Sequence, residues 1–204
     1  MQACQRPVSL LFAVFHGLAV LLIFGSAHAT EIPVLQLLDP PVEYRADYVL
    51  TAARRSYSGT VIHALGRERR DFEAGGVRQV LILRRDIDQA AIIWPASKFY
   101  MASSFHFLAG LAGGLDEVVV DRRVIGHENV EHEGTTVYQL TGGFNGQAWM
   151  TSDGIVMRLE GTVDYQGKST PIMIAVSNLR RVKADPAAFE RPQGYFGIPF
   201  NLSK

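Results

Sequence analysis

The stretch from residue 124 to residue 160 constrains the fold most, because it reads as a series of short strands joined by glycine-containing turns. Asp153-Gly154 separates two alternating runs, which is a strong signal for a β-hairpin. After this turn Ile155, Met157, Leu159 and Val163 fall on one face, and Arg158, Glu160, Thr162 and Asp164 fall on the other. This pattern is typical of an antiparallel sheet with one face packed on the core and the other exposed to solvent.

Residues 1–29 read as a cleaved secretory signal peptide. Arg6 gives a positive start, the run from Leu10 to Phe24 is apolar, and Ala27-His28-Ala29 fits a cleavage site before Thr30. A membrane anchor is the alternative, but a span needs about 20 apolar residues and this run is shorter.

Residues 30–204 then form a single mature domain, which is long enough to bury its own core. It has no cysteine, since Cys4 lies in the leader, and export without disulfides favours a bacterial periplasm. The leader removes one of 20 basic residues, which leaves 19 against 20 acidic ones. Without a basic excess, nothing favours a nucleic-acid partner.

The first half of the mature chain reads as a meander of short strands with turns about every 8 to 10 residues. Residues 44–52 alternate as a strand, although Tyr44, Tyr48 and Thr51 also recur at helical spacing. Further strands are predicted at 58–65, 67–74, 77–85, 89–94, 98–101, 117–124 and 170–180. A helical turn with an Asp cap and Pro at its first position is predicted at 185–189.

Arginines concentrate on the strand predicted at 67–74. Arg67, Arg69 and Arg70 either form a clamp for an acidic headgroup or form a solvated outer face. In the second case their partners are Glu68, Asp71 and Glu73.

The segment from Ser103 to Leu115 interrupts the strand pattern with a short apolar helix that contains Gly110, Gly113 and Gly114. Each glycine weakens a helix by about 1 kcal/mol relative to alanine. The segment is either a core helix or a mobile lid over an apolar cavity.

The sequence lacks a recognisable catalytic or metal-binding constellation. His127 and His132 are five residues apart, so on a strand their rings point to opposite faces rather than towards one zinc ion. His63 is predicted to be a partly exposed sheet residue, and His106 to line a cavity. A hydrolase or isomerase with His63 or His106 as its base needs a carboxylate within hydrogen-bond reach. We therefore expect a non-enzymatic protein without cofactor or metal.

The apolar side of a single curved antiparallel sheet must be covered, and one or two short helices above it can leave an apolar cavity. Trp149 is either a lining residue or an ordinary core tryptophan. The predicted lining residues are Tyr48, Ile62, Leu81, Phe105, Leu108, Leu111, Trp149 and Met157.

Three blocks of turn and packing residues resemble the periplasmic lipoprotein-carrier superfamily, which has the LolA/LolB-like fold. The first is Gly126-His127-Glu128-Asn129-Val130 followed by Gly134 and Tyr138-Gln139-Leu140. The second is Ala148-Trp149 with Asp153-Gly154-Ile155 and Arg158-Leu159-Glu160. The third is Ser177-Asn178-Leu179, Asp185-Pro186 with Phe189, and Pro192-Gln193-Gly194-Tyr195. The blocks span the C-terminal half, whereas the N-terminal half agrees only in the order and texture of its elements.

The resemblance implies a mainly β (α+β) fold, an incomplete half-barrel of about eleven antiparallel strands under short helices. It also implies a hydrophobic cavity for acyl chains. We therefore expect a monomeric periplasmic carrier for a lipid, a lipoprotein acyl chain or another hydrophobic ligand, with an envelope lipoprotein or membrane protein as a further partner. The alternative is an envelope interaction or sensing module whose barrel is only a scaffold.

Overall fold

The alternation of apolar and polar residues produces one large sheet. The structure is a computed structural model that describes residues 30–52, 55–111, 118–165 and 168–199. Its strands are β1 (Thr30–Pro33), β2 (Tyr44–Ala52), β3 (Arg55–Ala64), β4 (Arg67–Ala74), β5 (Val77–Arg84), β6 (Gln89–Trp94), β7 (Phe99–Ser103), β8 (Val119–Val130), β9 (Glu133–Gly142), β10 (Phe144–Thr151), β11 (Val156–Tyr165), β12 (Lys168–Arg180) and β13 (Phe196–Pro199). Its α-helices are α1 (Val34–Leu37) and α2 (Phe105–Leu111).

The 13 described strands lie in the order β1-β8-β9-β10-β11-β12-β2-β3-β4-β5-β6-β7-β13. Pairing is antiparallel except between β7 and β13, which are parallel. The sheet is not closed, so the prediction of a mainly β half-barrel with one or two short helices is confirmed. Both edge strands have four residues, and short edges limit unwanted pairing with other chains.

Several elements of the structure lie where the local sequence pattern predicts them. Residues 44–52 form a strand rather than a helix, because the alternate residues Tyr44, Ala46 and Tyr48 are buried. Asp185 caps a helical turn over Pro186–Phe189 by accepting a hydrogen bond from the Ala187 amide at 2.9 Å. The predicted leader at 1–29 and the last four residues of the predicted Ser103–Leu115 segment, residues 112–115, lie outside the described residues.

The face of the sheet that carries Tyr44, Ala46 and Tyr48 holds the larger core, and we call it the core face. The four apolar residues predicted for one side of the 155–163 stretch are at most 4% exposed and belong to this core. Val156 joins them because the β10–β11 register shifts between Trp149 and Met150. The segment between β1 and β2, which we call the lead, covers this core, because Val34 and Leu37 of its helix α1 are buried in the core.

A second, smaller core lies on the opposite face of the sheet. It consists of Val80, Ile82, Ala91 and Ile93, with Tyr195 packed against it. Phe189, which is 1% exposed, lies under the Arg67 guanidinium at 5.1 Å. The segment 181–195 therefore crosses the back of β4–β6 and covers the apolar residues on the back of β5.

Two facing glycines let the sheet pack tightly at β10–β11, where Gly146 and Gly161 are Cα partners. A Cβ at Gly146 would overlap the Glu160 carbonyl and the Gly161 Cα atom, and a Cβ at Gly161 would overlap the Asn145 carbonyl and the Phe144 ring. Phe144 is 1% exposed, so its ring has no room to retreat.

Gly146→Ala is expected to lower the free energy of unfolding by about 2–3 kcal/mol, because overpacking forces the backbone to shift. Gly126→Ala is the matched control, since nothing lies within 4 Å of a Cβ there. Its effect should stay within about 0.5 kcal/mol. Urea unfolding of both variants measures the difference, and equal destabilisation would contradict this explanation.

Candidate functional site

Half of the core face is left partly open to solvent. Cross-strand register carries this face from Tyr44 through His63 and Glu68 to Leu83 on β5. Beyond that point its large apolar side chains are only partly buried. We call this surface the apolar platform, and it consists of Leu81, Leu83, Ile92, Trp94, Phe99 and Met101.

Regular cross-strand contacts make the platform continuous. Leu81, Ile92 and Met101 are successive Cα partners across β5, β6 and β7. The rings of Trp94 and Phe99 are 5.4 Å apart and extend the surface along the next row. Ser103 lies at the end of β7, and its Oγ is buried without a hydrogen-bond partner. The surface thus offers continuous apolar contact along its length, and a buried hydroxyl lies at its end.

The other half of the core face is filled by the protein's own side chains. Met157 and Leu140 are 0% exposed there, and Tyr48 is 5% exposed. A cavity of about 30 Å³ remains beside Tyr48 and Arg70. This volume holds a water molecule and is far too small for an acyl chain.

A buried ion pair marks the boundary between the filled half and the platform. Arg70 Nε donates to Glu68 Oε1 at 2.6 Å, and the guanidinium lies 5.0 Å from the Tyr48 ring. Burial alone would raise the pKa of Glu68, but the Arg70 charge, the interaction with His63 and the Arg85 charge together outweigh burial and lower the pKa to about 2. Burial likewise raises the pKa of the Tyr44 hydroxyl nearby. Glu68 is therefore held as a carboxylate at neutral pH.

The prediction that His63 is partly exposed is wrong, since it is 0% exposed. Its ring stacks on Tyr44 with centroids 5.0 Å apart, and Nε2 lies 3.0 Å from the Pro40 carbonyl oxygen. The Asp39 and Glu68 carboxylates approach it at 3.5 and 3.8 Å. Sequence alternation put His63 on a strand but could not show that the lead at 39–40 folds over it. The ring is enclosed, so it does not face a substrate site.

Asp39 ties the lead to two turns of the sheet. It accepts hydrogen bonds from the Gly66 amide at 2.9 Å and from Arg85 at 2.7 Å. This network was missed because its members are far apart in sequence and belong to no local motif. The one available signal was Asp39 before Pro40-Pro41, which marks only a turn.

The eight residues predicted to line a cavity do not lie together. Tyr48 and Met157 are in the filled half of the core face, and Leu81 is in the platform. Ile62 and Trp149 lie on the opposite face, because each alternates with residues of the core face.

Phe105 and Leu108 belong to α2, which follows β7 and contacts β6. Phe105 is 7% exposed and Leu108 is partly buried, whereas the side chain of Leu111 lies outside the described residues.

Trp149 has a structural environment of its own. Its Nε1 donates to Glu128 Oε2 at 2.9 Å, and the Arg158 guanidinium lies 4.7 Å from the ring. It is 5% exposed on the back of the sheet, which agrees with the alternative of an ordinary packed tryptophan.

The arginines of β4 are engaged in pairs. Arg69 donates to Asp71 at 2.6 Å and to the Ala188 carbonyl at 3.3 Å, so it holds the C-terminal segment on the opposite face. Arg70 lies instead on the core face. It is two residues from Glu68 on the same strand, and residues two apart on a strand point to the same face. A groove of about 540 Å³ lies between Arg69 and this segment, with Val80, Ile93 and Tyr195 in its walls.

Among the residues that the structure describes, neither a metal site nor a membrane-spanning helix is found. Across residues 30–52, 55–111, 118–165 and 168–199, no three His, Cys, Asp or Glu side chains are grouped to hold a metal ion. No helix in these ranges is long and apolar enough to cross a membrane. His127 Nδ1 lies 3.3 Å from the Thr136 hydroxyl on the neighbouring strand.

Solved structures with the same architecture have very different sequences. MucB is 12% identical with a TM-score of 0.53, and the match covers 79% of this chain and 62% of the MucB chain. MucB in complex with MucA(peri) is 14% identical with a TM-score of 0.50, and that match covers 80% and 59%. This chain thus spans less than two thirds of MucB. An uncharacterized conserved protein from Thermus thermophilus is 13% identical with a TM-score of 0.51, over 82% of this chain and 95% of that one.

The chain has the LolA/LolB-like fold. MucB also has a LolA-like fold, so the resemblance seen in the sequence is confirmed at the level of architecture. No protein-family model matches the sequence, and no curated protein matches it. These identities support the LolA-like fold alone, and the function must be argued from the faces of the sheet.

Arg70→Met is expected to lower the free energy of unfolding by about 3–5 kcal/mol, because it leaves the buried Glu68 carboxylate uncompensated. The double variant Arg70→Met with Glu68→Leu should recover most of that loss, since no buried charge remains. Chemical denaturation of the single and double variants measures the coupling. A double variant as unstable as Arg70→Met would contradict a boundary held by charge pairing.

The Glu68 pair also predicts a pH dependence. Its folded pKa of about 2 lies below the ordinary value of 4.5, so the pair stabilises the fold fully above pH 4.5. That contribution is lost as the pH falls from 4.5 towards 2. Thermal unfolding across this window should show a steeper loss of stability for the wild type than for Glu68→Gln. Parallel curves would contradict the assignment.

Proposed function

We propose that the protein is a non-catalytic binding protein of the bacterial periplasm that holds an acyl chain of a lipid or lipoprotein against the apolar platform. The observation that carries the proposal is the partly exposed apolar surface of β5–β7 beside a filled core. Surfaces of this kind mark binding sites in soluble proteins. The enclosed position of His63 supports a role without catalysis.

The position of the ligand differs from the one that the resemblance implies. The half of the core face under α1 has a cavity of only about 30 Å³, so the ligand lies on the platform and not deep in the sheet.

Affinity then depends on how many sides of the chain are covered. Full burial of ten methylene groups contributes about 8 kcal/mol, and contact on one side contributes about half of that. The two cases correspond to dissociation constants of about 1 μM and 1 mM. A carrier with micromolar affinity therefore needs a second apolar surface over the acyl chain. We propose α2, which follows β7 and carries Leu108, as this lid.

Export and cleavage of residues 1–29 belong to the same proposal, because the leader pattern ends directly before β1 at Thr30. The test is native mass spectrometry of the protein purified from a bacterial periplasm, followed by organic extraction. The proposal predicts an N terminus at Thr30 and a bound phospholipid or lipopeptide. An apo mass that stays unchanged after addition of both ligand types would refute it.

Met101→Glu and Leu81→Glu should each weaken binding of a fluorescent acyl lipid at least about tenfold, because a carboxylate would have to be desolvated against the chain. Val49→Glu is the control, since Val49 is an exposed strand residue that pairs with Ser58 on the opposite face. A lipid titration with circular dichroism on each variant separates binding from folding. Loss of binding in Val49→Glu alone would contradict a site on the platform.

A protein partner is the second candidate function, and it is favoured by the solved complex of MucB with MucA(peri). In that case the platform is part of an interaction surface and the barrel is a scaffold. Failure to take up lipid, together with complex formation with an envelope protein, would move the assignment to this candidate.

A further inference from the structure

The edge of the sheet beside β7 is occupied by the chain itself. β13 runs parallel to β7, with Phe196, Ile198 and Pro199 as Cα partners of Phe99, Met101 and Ala102. We propose that this edge is a docking site for an extended peptide of a partner protein, and that β13 fills it as an exchangeable internal ligand.

The attachment of β13 is much weaker than that of the segment before it. Phe196 is 69% exposed and Ile198 is 44% exposed, although both are large and apolar. Beyond the strand pairing, the Phe196 amide donates to the Lys98 carbonyl at 2.9 Å. Burying only part of two side chains offers little free energy against the cost of ordering four residues. β13 therefore belongs to the part of the fold that opens most easily.

The preceding segment is anchored independently, so β13 can leave without it. Phe189 is buried, the Ala184 amide donates to Glu43 at 2.7 Å, and Arg84 pairs with Glu190 at 2.8 Å. Tyr195 packs on the smaller core. Gly194 directly before Tyr195 has a φ of +73°, a conformation that glycine adopts without strain, so the turn that places Tyr195 on this core is relaxed.

The residues of β13 show which partner the edge accepts. Phe196 stands beside Phe99 with ring centroids 6.2 Å apart, and Ile198 stands beside Met101, so both continue the platform. Gly197 lies between them on the other side, where a Cβ would overlap the Tyr100 ring. The edge thus selects a strand with the pattern apolar, glycine, apolar. Main-chain hydrogen bonds supply affinity and the alternating positions supply specificity, as in other cases of strand addition.

The pairing of β13 with the β7 edge should lower the affinity of this edge for a partner peptide. A partner binds only the fraction of molecules in which β13 has left, so its apparent affinity equals the intrinsic affinity multiplied by that fraction. Weakening β13 without changing β7 should therefore strengthen the binding of a peptide supplied from outside. This inference does not depend on an acyl ligand, and it gives the protein-partner candidate a specific surface.

The test uses the full mature chain and a fluorescein-labelled peptide with the sequence of residues 194–199, Gly-Tyr-Phe-Gly-Ile-Pro. Gly197→Val in the protein weakens β13 through the Tyr100 overlap, and Phe196→Asp with Ile198→Asp weakens it by a second route. Fluorescence anisotropy should show peptide binding at least tenfold tighter in both variants than in the wild type. Val182→Asp is the control, because Val182 is 48% exposed in the same segment and lies outside β13.

The peptide itself carries the specificity test. A peptide with valine in place of its second glycine should bind none of the proteins, since it meets the Tyr100 ring. Equal binding of both peptides, or no gain in either β13 variant while circular dichroism shows a folded sheet, would overturn the proposal. Leu81→Glu separates the two functions, because it should weaken lipid binding at least about tenfold and leave peptide binding unchanged.

Discussion

The fold depends on covering one apolar face of a sheet that does not close. The thirteen strands of the described residues expose too much apolar surface for the two short α-helices described with them to cover. The chain meets this requirement over β8–β12, β2 and β3 with its own side chains and with the lead that contains α1. Over β5–β7 the same face is left partly exposed. The candidate site is thus the part of the core face that the protein does not cover.

The Glu68–Arg70 pair gives this division a physical boundary. In one cross-strand row, Arg70 of this pair lies between Val61 of the filled core and Leu81 of the platform. An ion pair of this kind contributes little net stability but is costly to break, so it fixes where the apolar core ends. His63 and Asp39 extend the same polar layer towards the turn at Gly66 and tie the lead to it. A ligand on the platform would therefore meet a polar wall at one side and the β7 edge at the other.

The sequence predicts the strands well because period-two alternation and turn residues act locally. The bounds of β2, β4 and β6 agree with the prediction to the residue. The cavity residues were less predictable, because a strand pattern gives two faces without saying which one a neighbour covers. Ile62 and Trp149 are apolar in sequence and lie on the back of the sheet. On β5, apolar residues occur on both faces, and only the long return of residues 181–195 explains why.

Contacts between distant segments account for the remaining differences. The burial of His63 requires Pro40 to lie above it, and the parallel pairing of β13 requires the chain to cross the back of β4–β6 first. Neither follows from any local pattern. The four residues of β13 are too few for an alternation signal, so the edge that could bind a partner strand is visible only in the structure.

Methionine methyl NMR during a titration with an acyl lipid tests the division of the core face most directly. The mature chain carries four reporters, because Met1 lies in the predicted leader and Met101, Met150, Met157 and Met173 remain. Met101 is on the platform, Met150 and Met157 are in the filled core, and Met173 is 36% exposed on the back of β12. The account predicts a large shift of the Met101 methyl signal and little change in the other three. Shifts of Met150 and Met157 without a shift of Met101 would show that the ligand opens the filled core, and would contradict the account.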